Sequence, residues 1–183
     1  MGDFYQVKIT KAIRRLISQD AQLLESGVNE RTIMYRLAMH LQSEIQEWNI
    51  DCEYNRDGVD PKRVNLNPGN LTANDDVKGT TVYPDIIAHH RGTSMNLFVI
   101  EMKTSDNITE ASKAYDVKKL EAYQKDLHYK HAYFVEIPVR EAFKDLNDET
   151  IKNLVQRVGR PIVRRMAGRS TSDVPVEGDE NEA

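Results

Sequence analysis

Apolar positions along the chain follow two rhythms. Val7, Ile9, Ala12, Ile13, Leu16, Ile17, Leu23 and Leu24 recur at helical spacing and predict a helix over 5–25, stopped by Ser26-Gly27. Asn29 stands where a helix cap belongs. From there Ile33, Leu37, Leu41, Ile45 and Trp48 draw one apolar stripe along a second helix. The rhythm changes to period two from Ile50 to Asn55, which reads as a strand. Residues 56–81 are rich in Asp, Asn, Gly, Pro and Lys and read as a long loop, in which Arg63 to Leu66 could add a short strand. Two apolar runs, 82–89 and 96–103, flank Arg91-Gly92-Thr93-Ser94 and predict a hairpin. A helix follows over 110–128, with Val117, Leu120, Gln124 and Leu127 on one side. His131 to Ile137 is the next strand, ended by Pro138. A last helix is predicted over 147–158, with Ile151, Leu154 and Val158 facing inward, before Gly159-Arg160-Pro161 breaks it. This order implies the α/β class, with a mixed sheet (α+β in character) flanked by helices.

Composition narrows the setting. The chain has 183 residues, 39% apolar and 30% charged, which suits one soluble domain with a real core. We expect that domain over 1–167, with 168–183 a disordered acidic tail. No apolar stretch approaches the roughly 18 residues of a membrane span, so no membrane partner is expected. Met-Gly-Asp-Phe-Tyr-Gln at the start lacks a signal-peptide layout. The single Cys52 excludes an internal disulfide and fits a reducing compartment, so a cytoplasmic protein is expected. The net charge is −4, but residues 173–183 hold five acids and no base, and without them the sum is +1. Just before, residues 152–169 carry Lys152, Arg157, Arg160, Arg164, Arg165 and Arg169 and no acid. That basic segment could touch phosphates or simply be a solvated face.

The chemistry gathers at the predicted hairpin. Its first run opens on Pro84-Asp85 and its second ends on Glu101-Met102-Lys103. Alternation points Leu97, Val99, Glu101 and Lys103 one way and Phe98, Ile100 and Met102 the other. Both faces are apolar until Glu101, as in a central strand buried on both sides. An acid ending such a strand needs a partner, and Lys103 and a metal ion are the candidates. Pro84 suits a strand start, and the hairpin sets Asp85 opposite residues around 100–102. Two carboxylates brought that close repel unless a cation lies between them. Oxygen ligands of this kind suit Mg²⁺, with Mn²⁺ able to substitute. A lysine beside the ion can orient water and stabilise charge on a phosphate. Pro-Asp alone is common in turns, and Glu-x-Lys alone is often a surface ion pair; the two on adjacent strands carry the functional expectation.

At these residues the chain resembles the PD-(D/E)xK nuclease superfamily, the restriction-endonuclease-like fold. Pro84-Asp85 and Glu101-Met102-Lys103 match its motif, and the resemblance extends over about 29–137. It implies an α-β-β-β-α-β core, here with an extra N-terminal helix and a C-terminal helix. It also implies metal-dependent phosphodiester hydrolysis, with DNA the expected substrate before RNA. By the same resemblance Asp85, Glu101 and the Met102 backbone carbonyl would ligate the metal, and Lys103 would serve the attacking water. Members often add a glutamate from the preceding helix. Glu30 is the natural match, on the side of Ile33, Leu37 and Leu41, although an acid in a first helical turn is favourable anyway. Glu53, within Glu53-Tyr54-Asn55-Arg56, is its competitor.

Other positions enter as possible substrate contacts. They are Arg56, Arg91 with its neighbours His89 and His90 at the far end of the hairpin, and Lys119 on the helix after the motif. Tyr5, Tyr35, Tyr115, Tyr123, Tyr129 and Tyr133 read as packing. No GxxxxGK loop, paired Cys/His zinc spacing or Gly-x-Ser-x-Gly elbow competes. A homodimer is possible, because one site cuts one strand. Two rivals remain: a non-catalytic nucleic-acid- or protein-binding module on the same fold, and an interaction protein whose acid–lysine cluster is a buried ion pair.

Overall fold

A computed structural model describes residues 3–58, 60–66 and 80–159. Helix α1 (Phe4–Gln19) starts on Asp3, whose carboxylate accepts from the Gln6 N–H at 2.8 Å, and it buries Ile9, Ala12, Ile13 and Leu16. The helix predicted over 5–25 is divided at Asp20, and a separate α2 (Ala21–Ser26) follows. The Asp20 carboxylate is drawn away to α3, where it meets Arg36 Nε at 2.9 Å and His40 Nε2 at 2.7 Å. Gly27 ends α2 at φ 61, a left-handed position glycine takes without strain.

Helix α3 (Glu30–Glu44) is capped by Asn29, as the sequence suggests, but it stops before Trp48. Gln42 reaches past its end, donating to the carbonyls of Ile45 and Trp48 and accepting from the Ile50 N–H. These bonds hold the chain in a turn and launch β1 (Asn49–Cys52), shorter than the strand predicted to Asn55. At the end of α3, Glu44 is buried and meets three cations of α1: Lys11 at 3.0 Å, Arg15 at 2.9 Å and Lys8 at 3.7 Å. Burial pushes its carboxyl up, but the three bases outweigh that and hold it below the ordinary value. This cluster ties α1 to α3.

Residues 56–66 form short bridges: β2 (Arg56–Asp57) pairs with β3 (Asp60–Pro61), and β4 (Arg63–Val64) pairs with β5 (Thr80–Thr81). Lys62 is fully buried there. Its ammonium donates to the Arg56 carbonyl and lies 5.1 Å from the Tyr54 ring and 5.9 Å from that of Tyr129. Burial lowers its amine to about 8.

The main sheet has the order β1–β6–β7–β8–β9, with β6 (Ile86–His89), β7 (Asn96–Thr104), β8 (His131–Ile137) and β9 (Val155–Val158). Only β7 and β8 run parallel; the other neighbours are antiparallel. The β6–β7 hairpin agrees with the sequence reading, although β6 begins at Ile86 rather than 82. Between the parallel strands runs α4 (Glu110–Asp126), opened by a reciprocal Thr109–Ser112 cap. One core lies on the α1 and α3 side of the sheet, with Ile100, Met102 and Tyr133 in it; a second lies under α4, with Ile87, Val99, Leu120 and Phe134.

Two further expectations are corrected. The last predicted helix, 147–158, holds only as α6 (Asp148–Asn153), after a short α5 (Glu141–Lys144). Val155–Val158 instead pairs with β8, Val155 opposite Val135 and Val158 opposite Ala132. A short apolar run is ambiguous between the two periods, and the open edge of β8 offers hydrogen bonds that a further helical turn would leave unmet. Leu97 also departs from strict alternation. It joins Phe98 in the α1/α3-side core, because the register slips between Ala88 and His89: Phe98 faces Ala88 while Asn96 faces His89, leaving Leu97 as an extra residue. The expected restriction-endonuclease-like core is met at the coarser level of a mixed α/β architecture. The expected tail, 168–183, lies outside the described residues. Among the described residues no helix is long and apolar enough to cross a membrane.

Candidate active site

The end of β7 brings charge into the α4-side core. Ile86 pairs with Ile100, so Asp85 arrives opposite Glu101 on the face shared with Ile87 and Val99. Glu101 is fully buried, at 0% exposure. Its partner is Lys119 of α4, with Nζ 2.5 Å from Oε2, and Lys103 is not the counter-ion that the strand pattern offered. The Tyr123 hydroxyl donates to Oε1 at 3.0 Å. Asp85 Oδ2 accepts from the Met102 N–H at 2.7 Å, and the Met102 carbonyl accepts from Lys103 Nζ at 3.2 Å.

Glu30 sits at the start of α3 and reaches the end of β7. Its Oε2 accepts from the Thr104 N–H at 2.9 Å, the Thr104 hydroxyl at 3.3 Å and Asn107 Nδ2 at 3.2 Å, and Oε1 lies 3.4 Å from Lys103 Nζ. Glu53 turns elsewhere. It takes a left-handed φ of 48, is exposed, and pairs with Arg31 at 3.1 Å. Of the two rivals, Glu30 is the one brought to Lys103.

Asp116 is the residue the sequence reading missed. It is 4% exposed and lies between the two lysines: Lys119 Nζ is 3.4 Å from Oδ1 and Lys103 Nζ is 3.4 Å from Oδ2. The Lys103 contact is an ion-pair distance without hydrogen-bond alignment, so Oδ2 has no hydrogen bond. Asp116, Lys119 and Tyr123 share one stripe of α4 at helical spacing. That stripe was the available signal, though nothing in the chain alone ties it to Glu101.

Four carboxyl groups (Glu30, Asp85, Glu101, Asp116) thus face two ammonium groups. Burial raises Glu101 to about 8, with Asp85 next in effect and Lys119 opposing. Burial likewise raises Asp85, against the Met102 hydrogen bond and Lys103. Burial lowers both lysines, yet the surrounding acids outweigh it and both are held above the ordinary value. The lysines therefore keep their protons while the surplus of acid favours a proton on Glu101. That surplus, two charges with every acid ionised, matches one divalent cation, and the donors are hard oxygens; in both respects the set fits Mg²⁺. Among the described residues, however, no three His, Cys, Asp or Glu side chains stand close enough to form a ready metal cluster, and both Glu101 oxygens are engaged.

The remaining candidates lie apart. Arg91 is exposed and bonds Asp51 through Nε at 2.8 Å and Nη2 at 2.5 Å. His89 meets the same carboxylate at 2.9 Å, at the turn end of the hairpin. His90 stacks on Trp48 at 4.2 Å. Arg56 is exposed in β2. Of the basic segment 152–169, Arg157 is held by Asp3 at 2.6 Å and Lys152 lines a groove of about 460 Å³ with residues of α1; the rest lies outside the described residues. That groove shares no residue with the acid–lysine cluster. Among the tyrosines read as packing, Tyr35 and Tyr115 are exposed, and Tyr123 serves Glu101.

The chain matches no protein-family profile, no curated protein and no solved structure.

Proposed function

We propose that this chain is a divalent-metal-dependent nuclease of restriction-endonuclease-like fold that hydrolyses phosphodiester bonds, in DNA before RNA. One observation carries the reading: Asp85 and Glu101 oppose each other on one face of β6 and β7, with Lys103 one step along that face. Asp85, Glu101 and the Met102 carbonyl would hold the ion. When bound, Mg²⁺ supplies Lewis-acid polarisation of the phosphoryl oxygen and a more acidic water. Lys103, kept charged by Asp116, Asp85 and Glu30 against the effect of burial, acts as a hydrogen-bond donor and not as a base. It orients the attacking water and stabilises negative charge growing on the phosphate. Glu30 fixes the Lys103 end of β7 through Thr104. One site cuts one strand, so double-strand cleavage calls for a homodimer. We propose a cytoplasmic location, supported by the single Cys52, which fits a reducing compartment.

The test compares DNA cleavage by wild type in Mg²⁺, wild type in EDTA, and Lys103→Ala in Mg²⁺. Cleavage only in the first supports the reading; equal activity in all three ends it. A second reading has its own observation. Lys119 and Tyr123 already satisfy Glu101, as they would in a binding module whose cluster is only a buried ion network. That reading requires salt-sensitive or absent nucleic-acid binding and no Mn²⁺ uptake in calorimetry.

A further inference from the structure

Both oxygens of the Glu101 carboxylate are taken, Oε2 by Lys119 at 2.5 Å and Oε1 by Tyr123 at 3.0 Å. A cation that approaches this carboxylate meets the Lys119 ammonium already in contact with Oε2. The Tyr123 ring is fully buried in the α4-side core, so its packing opposes withdrawal of the hydroxyl. Lys119 differs in two respects. Its ammonium rides on a flexible four-carbon stem, and a second acceptor stands within reach. Asp116, one turn earlier on α4, lies 3.4 Å from Nζ, too long for a strong bond, and its buried Oδ2 has no hydrogen bond although Lys103 stands 3.4 Å away. Each Glu101 oxygen thus has a donor, while Oδ2 of the carboxylate beside it has none. An ammonium and a divalent cation cannot share Glu101 at contact distance without strong repulsion.

We infer that Lys119 is a displaceable counter-ion: it occupies Glu101 in the metal-free protein and withdraws to Asp116 when a divalent cation binds. The inference rests on the reading of Asp85 and Glu101 as cation ligands. It makes α4 the regulator of the site, because the Lys119–Glu101 bond sets the ion concentration at which the site loads.

Calorimetric titration of the full chain with Mn²⁺ tests this on wild type, Lys119→Met, Asp116→Asn and the double variant. Removing the competing ammonium should tighten Mn²⁺ binding by about tenfold or more. Asp116→Asn should weaken binding several-fold in the wild-type background and change little when Lys119 is already Met, because the acceptor matters only to a lysine that moves. Mn²⁺ binding by Lys119→Met and not by wild type also supports the inference. Additive effects in the cycle, or Lys119→Met binding no tighter than wild type, overturn it and leave the metal site standing. Mn²⁺ binding by none of the four overturns the metal reading, and the inference with it. Should Lys119→Met fail to fold by circular dichroism, Lys119→Gln takes its place under the same criteria.

Discussion

Two buried glutamates in this molecule behave in opposite ways. Glu44 closes α3 against three bases of α1, and its carboxyl is held below the ordinary value. Glu101 sits near the end of β7 among two further acids and one lysine, and its carboxyl is pushed up to about 8. Burial penalises ionisation in both cases. The difference is local charge balance. Glu44 has more cation than it needs, so it is a finished structural joint. Glu101 has less than it needs, so the fold holds it in a condition that a proton or a further cation relieves. A buried acid is therefore not informative by itself; the sign of its imbalance separates a joint from a site.

The sharpest break of this contrast is chemical. On the proposed nuclease reading, Glu101→Gln keeps shape and removes a proposed ligand, so Mg²⁺-dependent cleavage should fall by about a thousandfold or more. Glu44→Gln should leave the specific activity of folded protein unchanged. Equal losses in the two variants would erase the distinction. Next in size is stability. Glu44→Gln leaves the partly exposed Lys8, Lys11 and Arg15 without their carboxylate and should cost about 1.5 kcal/mol in urea unfolding. Glu101→Gln removes repulsion and should cost far less, or stabilise. A large loss in Glu101→Gln with none in Glu44→Gln would reverse the assignment.

The third contrast is pH. Between its ordinary value of 4.5 and about 8, Glu101 keeps in the folded state a proton that the unfolded chain has lost. Stability therefore declines as pH rises through that window, by at most about 1.4 kcal/mol per unit. Glu44 is the mirror image: its contribution is present above 4.5 and is lost as pH falls through its depressed folded value. Unfolding curves should show Glu101→Gln flattening the decline between 4.5 and about 8 relative to wild type, and Glu44→Gln flattening the loss at more acid pH. Parallel profiles for all three proteins would refute both assignments. The smallest effect is expected at Arg91. Its guanidinium is largely exposed, Asp51 keeps His89 as a partner, and the pair lies at the other end of the hairpin, so Arg91→Ala should change stability by about 0.5 kcal/mol and leave cleavage intact. A marked drop in cleavage would restore the turn as a substrate contact.

Much of this contrast was legible in the chain. Alternation along β7 put Glu101 and Lys103 on one face, and the hairpin put Asp85 across from them, because strand parity is local and rigid. Glu101's partner was not legible. Lys119 and Lys103 are both plausible by type, and the docking of α4 on the sheet decides between them. Asp116 was invisible for the same reason, since an acid mid-helix reads as solvent-facing until its neighbour sheet is known. The last strand was misread because Val155 to Val158 carries no decisive period, and the free edge of β8 made the choice.

The extra residue at Leu97 has a consequence for how this hairpin can change over generations. Gains and losses of residues accumulate in exposed turns, and the turn at 91–95 is exposed. A strand without slack would pass any odd length change down to Glu101, rotating it out of the α4-side core and bringing Met102 in. The slip between Ala88 and His89 lies between turn and site, where one residue is already absorbed without disturbing Ile86 opposite Ile100. A one-residue change in the turn can thus be taken up at the slip while Ile86 stays opposite Ile100 and Asp85 stays aligned with Glu101.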